Sequence, residues 1–195
     1  MTRALSRLML LLSFSLCAAA QVHELTVRAE AAMKSYDAQE TATLIDALRP
    51  EGGNAEETRM LLVRLLLFQA ELYRIDFEDL PEKSYAARRP LGKLYRKKMD
   101  AATARAVELD PRNPRVYVTL AKPYVFAPEE HGRDYGKALA ALDQALALDP
   151  HLEQARLLRA HVLKLLGKAE ESREILHDVL RDNPACRPAQ RELAL

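Results

Sequence analysis

The chain contains no tryptophan, only six glycines and 6% aromatic residues among its 195 residues. Sandwiches and barrels of β-strands need many turns, and those turns draw on glycine, so the composition argues against an all-β fold. The hydrophobic residues, 49% of the chain, are mostly leucine and alanine, which are good helix formers. This apolar content also argues against disorder, and it predicts helices joined by short connections.

Cysteine is scarce, and an excess of charge of one sign is absent. Cys17 and Cys186 suggest no zinc site, and they give no intrachain disulfide once a leader containing Cys17 is removed. The 29 basic residues nearly balance the 28 acidic ones, for a formal net charge of +1. A chain without a large field of one sign is poorly suited to non-specific nucleic-acid binding, so no nucleic-acid partner is predicted.

Residues 1–20 have the pattern of a secretory signal peptide. Arg3 and Arg7 give a positive start, residues 8–16 are apolar except for two serines, and the alanines before Gln21 offer a small-residue cleavage site. The apolar run is too short to span a bilayer comfortably. We therefore expect cleavage after Ala20 and a periplasmic or otherwise exported protein.

Two alternatives to cleavage use the same segment. The leader could stay as a membrane anchor, or a lipid could be attached to Cys17, although Leu16 is larger than the residue that a lipoprotein signal places before its cysteine. Farther along, residues 60–70 come closest to a second apolar run, but Arg64 and Gln69 indicate a buried helix. We expect no stable membrane span after cleavage.

A short string recurs in the second half of the chain, at residues 108–111, 147–150 and 181–184. Each copy ends in Asp-Pro or Asn-Pro. Proline cannot continue a helix, and Asp or Asn before it favours a turn, so each copy predicts the end of one helix and the start of the next. The last two prolines are 34 residues apart and the preceding pair 39 apart, which places five extra residues in a loop at 127–134.

Residues 112–184 resemble two tandem tetratricopeptide repeats (TPRs), whose period is also about 34 residues. The matching residues are Tyr117, Leu120, Ala121, Tyr124, Tyr135, Ala138, Leu142, Ala145 and Pro150 in one unit, and Ala160, Leu163, Gly167, Leu176 and Pro184 in the next. Arg156 and Arg159 depart from the pattern, which prefers large apolar residues there, and Ser172 replaces the usual alanine. The spacing and the loop insert also resemble small exported bacterial TPR proteins of unassigned function.

The resemblance implies an all-α fold, a TPR-like α-solenoid of about four antiparallel helix hairpins with a short C-terminal cap. The expected parts of the domain at 21–195 are a degenerate hairpin (22–50), a hairpin with a long insert (54–111), two repeats (114–150 and 151–184) and a cap (185–195). In the second hairpin we predict one helix to about Ile75, a polar loop from Phe77 to Pro90, and another helix from Gly92. A structureless loop of this length is uncommon in a compact domain, so the alternative is that part of it is helical or functional. Pro123 should kink or shorten its helix, and Gly167 should end the helix before it.

In TPR proteins the first helices of successive hairpins line a concave groove that holds peptide segments. By position, the lining here would comprise Arg115, Val118, Lys122, Phe126, Gln154, Leu157, His161, Lys164 and Leu165. Its three basic side chains imply a protein or peptide partner with an acidic group. The alternative is that these residues form a solvated face.

No catalytic, phosphate-binding or metal-binding motif occurs, so we predict no enzyme, no metal and no cofactor. We interpret Glu129, Glu130, His131 and Asp134 as a polar turn, and Cys186 as an incidental thiol. A basic patch, which comprises Arg88, Arg89 and residues 96–98, is interpreted as a solvated helix face; an anionic envelope surface is its alternative partner.

The predicted function is an exported interaction module, an adaptor or assembly factor that binds a peptide segment in its groove. An accessory binding protein of small-molecule uptake is one alternative, and a deep closed pocket would favour it. An enzyme with its site in the 76–92 loop and the Glu129–Asp134 insert is the other, and it requires that the two loops converge.

Overall fold

The computed structural model describes residues 20–50, 55–78, 85–127, 129 and 132–194. The predicted signal peptide therefore lies, except for Ala20, outside the described residues. In the described part the chain forms helices and no strands, as the sequence predicted. The helices are α1 (20–35), α2 (Ala38–Ala47), α3 (Ala55–Glu78), α4 (Tyr85–Leu109), α5 (Pro114–Phe126), α6 (Tyr135–Leu148), α7 (Glu153–Leu165), α8 (Ala169–Asp182) and α9 (Arg187–Ala194).

Consecutive helices pack as hairpins, and the hairpins stack. Helix α3 packs on α4, α5 on α6, and α7 on α8, while α9 covers the end of the last hairpin. The odd-numbered helices α3, α5, α7 and α9 also contact one another in succession, whereas successive even-numbered helices of the described part barely touch. The odd-numbered layer is therefore the concave side of the solenoid, and the even-numbered layer is its outer side.

The core is divided into three apolar clusters that follow the order of the chain. The first joins α1 to α4 and the start of α5, the second joins α5, α6 and α7, and the third joins α7, α8 and α9. Leu142, Leu163 and Leu176 are at most 2% exposed. Burying a leucine to this degree contributes about 1.5–3 kcal/mol, so the contacts between hairpins stabilise each repeat.

The recurring proline string forms the same turn each time it ends a hairpin. The backbone N–H groups of Asp110, Asp149 and Asn183 donate to the carbonyls four residues earlier and close the preceding helix. The side chains of Asp149 and Asn183 each accept a hydrogen bond from the N–H two residues later, at 3.0 and 3.2 Å. After the first string, Asn113 makes the equivalent bond at 3.1 Å. The local chemistry of Asp or Asn before proline thus sets each reversal.

Gly167 ends α7, as the sequence predicted. Its φ of 78° lies in the left-handed region, where a side chain is strained. Its N–H donates to the Lys164 carbonyl at 3.0 Å, and the N–H of Lys168 donates to the Leu163 carbonyl at 2.9 Å. This pair of bonds is a Schellman motif, which satisfies carbonyls that the helix end would leave free.

Helix α5 runs through Pro123 and ends at Phe126, with 13 residues, the same number as α7. The expectation that Pro123 shortens the helix is therefore wrong. Proline removes only one N–H, and here it does so near the last turn, where the N–H of Ala127 still donates to the Pro123 carbonyl at 3.2 Å. The connection to α6 spans 127–134, five residues longer than the connection 166–168 in the next hairpin.

The prediction of a loop from Phe77 to Pro90 is wrong at both ends, whereas residues 79–84 lie outside the described residues. Helix α3 continues to Glu78, and α4 begins at Tyr85. Alanines and arginines with high helix propensity precede Pro90, and this proline lies close enough to the N-terminus of α4 to remove only one bond to the first turn. Residues 85–92 are helical for that reason.

Candidate functional site

A row of side-chain contacts crosses the concave side of the solenoid, from one odd-numbered helix to the next. Glu71 of α3 accepts a hydrogen bond from Lys122 Nζ of α5 at 3.2 Å. At the end of α5, the ring of Phe126 lies 6.0 Å from that of His161 in α7. His161 in turn contacts Glu192 of α9. The row therefore links all four helices of this layer.

Glu192 bridges two basic side chains of α7. One carboxylate oxygen lies 3.2 Å from His161 Nδ1, and the other accepts a hydrogen bond from Lys164 Nζ at 3.2 Å. Partial burial raises the pKa of Glu192, but the hydrogen bonds from Lys164 and His161 outweigh it, and the net pKa lies below the ordinary value. The carboxylate is thus held in its charged form.

At the other end of the row, Glu71 likewise bridges two basic side chains, Arg74 and Lys122. Burial raises its pKa, but hydrogen bonds from Arg74 and Lys122 outweigh burial and lower the pKa overall. Glu71 and Glu192 between them therefore partner Lys122, His161 and Lys164, the three groups that were expected to make the groove basic. Sequence reasoning missed both acids because they lie on helices outside the two clear repeats. The 34-residue period offered one signal for Glu192. It places Arg187 one period after Glu153, where α7 begins, and so indicates that the first helix of another repeat starts there.

The other residues that were predicted to line the groove differ in how far they are exposed to solvent. Arg115 and Gln154 are exposed near the starts of α5 and α7, and Leu157 is half-buried against the third apolar cluster. Val118 is only 3% exposed and belongs to the second cluster, so its assignment to the lining is corrected. Helix α5 has hairpins packed on both sides, which widens its buried face and takes Val118 into the core.

Three large apolar side chains remain exposed at the C-terminal ends of α5 and α7. Phe126 is 54%, Leu165 48% and Leu166 45% exposed. Leu165 lies one turn after His161, whose ring contacts Phe126. We call Phe126, His161, Lys164 and Leu165 the groove-end cluster. The cluster combines apolar surface with basic groups that intrachain carboxylates already pair.

The family model of the tetratricopeptide repeat matches residues 132–194, a segment that contains α6 to α9. Residues 132–194 therefore belong to the tetratricopeptide repeat family. The hairpins before this segment continue the same all-α, TPR-like stacking. A comparison with curated proteins gives no match. TPR solenoids are protein-interaction modules that bind partners on their concave surface.

The departures from the TPR pattern have physical explanations. Arg156, with a side chain only 13% exposed, pairs with Asp182 at 2.8 Å, and Arg159 pairs with Asp143 at 3.1 Å. Each arginine therefore covers apolar surface with its methylene stem and places its charge beside an acid. Ser172 is 3% exposed, and its hydroxyl donates to the Ala160 carbonyl at 2.8 Å, so this buried polar group is satisfied.

A small cleft lies beside these arginines, away from the groove-end cluster. It has a volume of about 180 Å³ and is lined by Leu146, Pro150, Arg156, Arg159, Ile175 and Asp178. Pockets for small ligands usually measure about 300–1,000 Å³. The cleft is thus smaller than the deep pocket that a small-molecule carrier would require.

The insert of the first repeat has local structural roles. Asp134 caps α6 by accepting a hydrogen bond from the Lys137 N–H at 3.0 Å, and exposed Glu129 pairs with Arg133. Glu130 and His131 lie outside the described residues. In the part of the chain that the structure describes, no group of three or more His, Cys, Asp or Glu side chains is arranged to hold a metal.

Cys186 is 3% exposed in the third apolar cluster, beneath α9. The thiol is therefore packed rather than presented to solvent.

Among the described helices, none is long and apolar enough to cross a membrane.

Proposed function

We propose that this chain is an adaptor or assembly factor that holds a peptide segment of a protein partner at its groove-end cluster. The observation that carries the proposal is the exposure of Phe126, whose ring contacts His161, and of Leu165, one turn after His161, on the concave side of a TPR-like solenoid. Large exposed apolar side chains that adjoin polar groups are typical of interaction sites. An apolar residue of the partner would cover both side chains.

The paired bases define the second part of the proposed ligand. A carboxylate on the partner would compete with Glu192 for Lys164 and His161, and it would gain the same two hydrogen bonds. We therefore propose a segment with an apolar residue next to an acidic one. Such a ligand would bind less tightly as salt rises, because part of its affinity is electrostatic.

Capture of partners from an envelope extract, read by mass spectrometry, tests the groove. Phe126→Ala and Leu165→Ala should lose the partners that the natural chain retains. Leu148→Ala is the matched control, since Leu148 is 43% exposed, close to the 48% of Leu165, but ends an even-numbered helix. Equal retention by the groove variants and the control would contradict the proposal.

The acidic part of the ligand has its own test. Once a partner peptide is identified, Lys122→Glu with Lys164→Glu should weaken its affinity about tenfold or more by calorimetry, because charge repulsion replaces attraction. A peptide whose acid is changed to the amide should bind both chains alike. Unchanged affinity of the acidic peptide would remove the acidic group from the proposal.

Export is a further part of the proposal, supported by the leader pattern in residues 1–20. N-terminal sequencing of the chain recovered from the periplasm or medium should begin at Gln21. Recovery of the chain only from the cytoplasm, with its leader intact, would contradict export. Partner capture is independent of this result, since the groove does not include the leader.

A further inference from the structure

The outer surface of α4 carries a compact basic face. Lys93, Lys97, Lys98 and Arg105 are all exposed there. The whole of α4 holds seven basic and only two acidic residues, whereas the chain as a whole has a formal net charge of only +1. Positive charge is therefore concentrated on one element of a nearly neutral protein. We call these four residues the α4 basic face.

The four residues lie within an arc of about 140° of the helix surface that contains neither buried Ala102 nor buried Ala106. At 100° per residue, Lys93 and Lys97 fall opposite these alanines, whereas Arg105 and Lys98 flank the buried side, about 60° and 40° from Ala102. The face extends over about 18 Å, since a helix rises by about 1.5 Å per residue. Helix α4 packs against α3 and α5 through its other side, which leaves this one open to solvent.

Two acids share the exposed side of α4, but neither pairs with these four cations: Asp100 pairs with Arg96, and Glu108 forms no ion pair among the described residues. Elsewhere most cations are paired, as in Lys137 with Asp134. Among the described residues, by contrast, Lys93, Lys97 and Arg105 have no carboxylate within ion-pair distance, and Lys98 contacts only the ring of Tyr73, at 5.1 Å. An external anion would therefore meet cations that no internal acid already holds.

An exposed leucine lies among these cations. Leu94 is 47% exposed, adjacent to Lys93 and one turn before Lys98. Phosphates of a nucleic acid would pair with the cations, but they would leave the leucine in water. A bilayer surface satisfies both groups, because lipid phosphates pair with the cations while the leucine enters the boundary between headgroups and acyl chains.

We propose that the α4 basic face binds the surface of a bilayer that contains anionic phospholipids. The helix would lie along the membrane plane, and the concave side would stay free for a peptide, since α4 belongs to the other layer. This inference is independent of the proposed peptide ligand.

Co-sedimentation of the chain with lipid vesicles tests the inference. The chain is used in the form in which its host produces it. The probes are vesicles of phosphatidylcholine alone and vesicles in which half of it is replaced by phosphatidylglycerol. The chain should bind the second kind and not the first, and binding should weaken as salt rises. Binding to neither kind, or equally to both, would overturn the proposal.

Charge variants locate the bound surface. Lys93→Gln with Lys97→Gln should lower the partition coefficient about 25-fold, from about fivefold for each cation at a membrane surface. The matched control is Lys34→Gln with Arg187→Gln, which removes the same charge from exposed residues that form no ion pair in the described part of the chain. A similar loss in both double variants would mean that net charge alone drives binding, and the face would be refuted.

Leu94→Ala separates the membrane from other polyanions. It should lower vesicle binding several-fold while the salt dependence stays the same, and circular dichroism should show unchanged helix content. Labelled duplex DNA at the same salt provides the comparison. Tighter binding of DNA than of anionic vesicles, with no effect of Leu94→Ala, would assign the face to nucleic acid and overturn the membrane proposal.

Discussion

Lys164 of α7 donates a hydrogen bond to the side chain of Glu192 in α9 at 3.2 Å, and it lies 3.4 Å from the backbone carbonyl of the same residue. A single side chain of the concave face thus holds the terminal helix at two points. Helix α9 is only eight residues long, and its main apolar anchors are Cys186, Ala189 and Leu193. The polar contact to Lys164 and the apolar anchors therefore act together to seat the cap.

Replacement of Glu192 by Gln should loosen α9. The change removes the charge that pairs with Lys164 and His161, and partly exposed ion pairs contribute about 0.2–1 kcal/mol. Buried Cys186 reports the loosening, because a thiol reagent reaches it only when α9 moves away. In a Cys17→Ser background, the thiol should react up to about fivefold faster.

Glu174→Gln is the control for this measurement, since Glu174 is exposed on α8 and forms no ion pair among the described residues. Its thiol should react at the rate of the unmodified chain. Equal rates for the Glu192 and Glu174 variants would show that the bridge does not hold the cap.

The acid side of the stability profile should depend on Glu71 and Glu192. Their pKa values are lower in the folded chain than the ordinary value of 4.5, so the unfolded chain binds protons first. The stabilisation is fully present above the unfolded pKa, and it is lost as pH falls through the lower folded pKa. The free energy of unfolding, measured with urea, should fall less between neutral and acidic pH in the double variant Glu71→Gln with Glu192→Gln than in the natural chain. An unchanged difference would contradict this assignment.

Local signals predicted the parts of the fold that depend on a few adjacent residues. Asp149 before Pro150 makes its turn through its own side chain, and Gly167 ends its helix through its own conformation. The pairing of Lys122 with Glu71 was not predictable in this way, because 51 residues separate them and only hairpin stacking brings them together. The loop predicted up to Pro90 was wrong because the local helix-breaking tendency of proline is outweighed by its position near the start of α4.

Ser172→Ala restores the residue that the TPR pattern prefers, yet it should destabilise this chain by about 1 kcal/mol. The buried hydroxyl donates to the Ala160 carbonyl at 2.8 Å, and a buried hydrogen bond contributes about 0.5–1.5 kcal/mol. Urea unfolding measures the loss. Ser35→Ala is the control, because Ser35 makes a similar bond to the Ala31 carbonyl on an exposed face. A gain of stability in the Ser172 variant would mean that packing outweighs this bond.

Gly167→Ala should destabilise the last hairpin by about 1–2 kcal/mol. No heavy atom lies within 4 Å of the position that an added Cβ would occupy, so the effect comes from the left-handed φ of 78° rather than from a clash. Gly167→Asn should lose less stability than Gly167→Ala, because asparagine tolerates this conformation better than alanine. Thermal unfolding ranks the three chains, and equal stability of the Asn and Ala variants would contradict the conformational explanation.

Arg156→Leu should leave stability unchanged or raise it by up to about 1 kcal/mol, whereas Arg156→Ala should lower it by about 2 kcal/mol. The Nε of Arg156 is buried and has no hydrogen-bond partner in the described structure, so leucine would remove an unsatisfied donor beside Leu146 and Ile175. Asp182 loses one partner, but it stays 43% exposed and keeps its contact with His151 at 3.1 Å, so solvent compensates. Alanine removes the donor but also leaves a cavity. Urea unfolding separates these outcomes, and an equal loss in both variants would show that the ion pair itself stabilises the repeat.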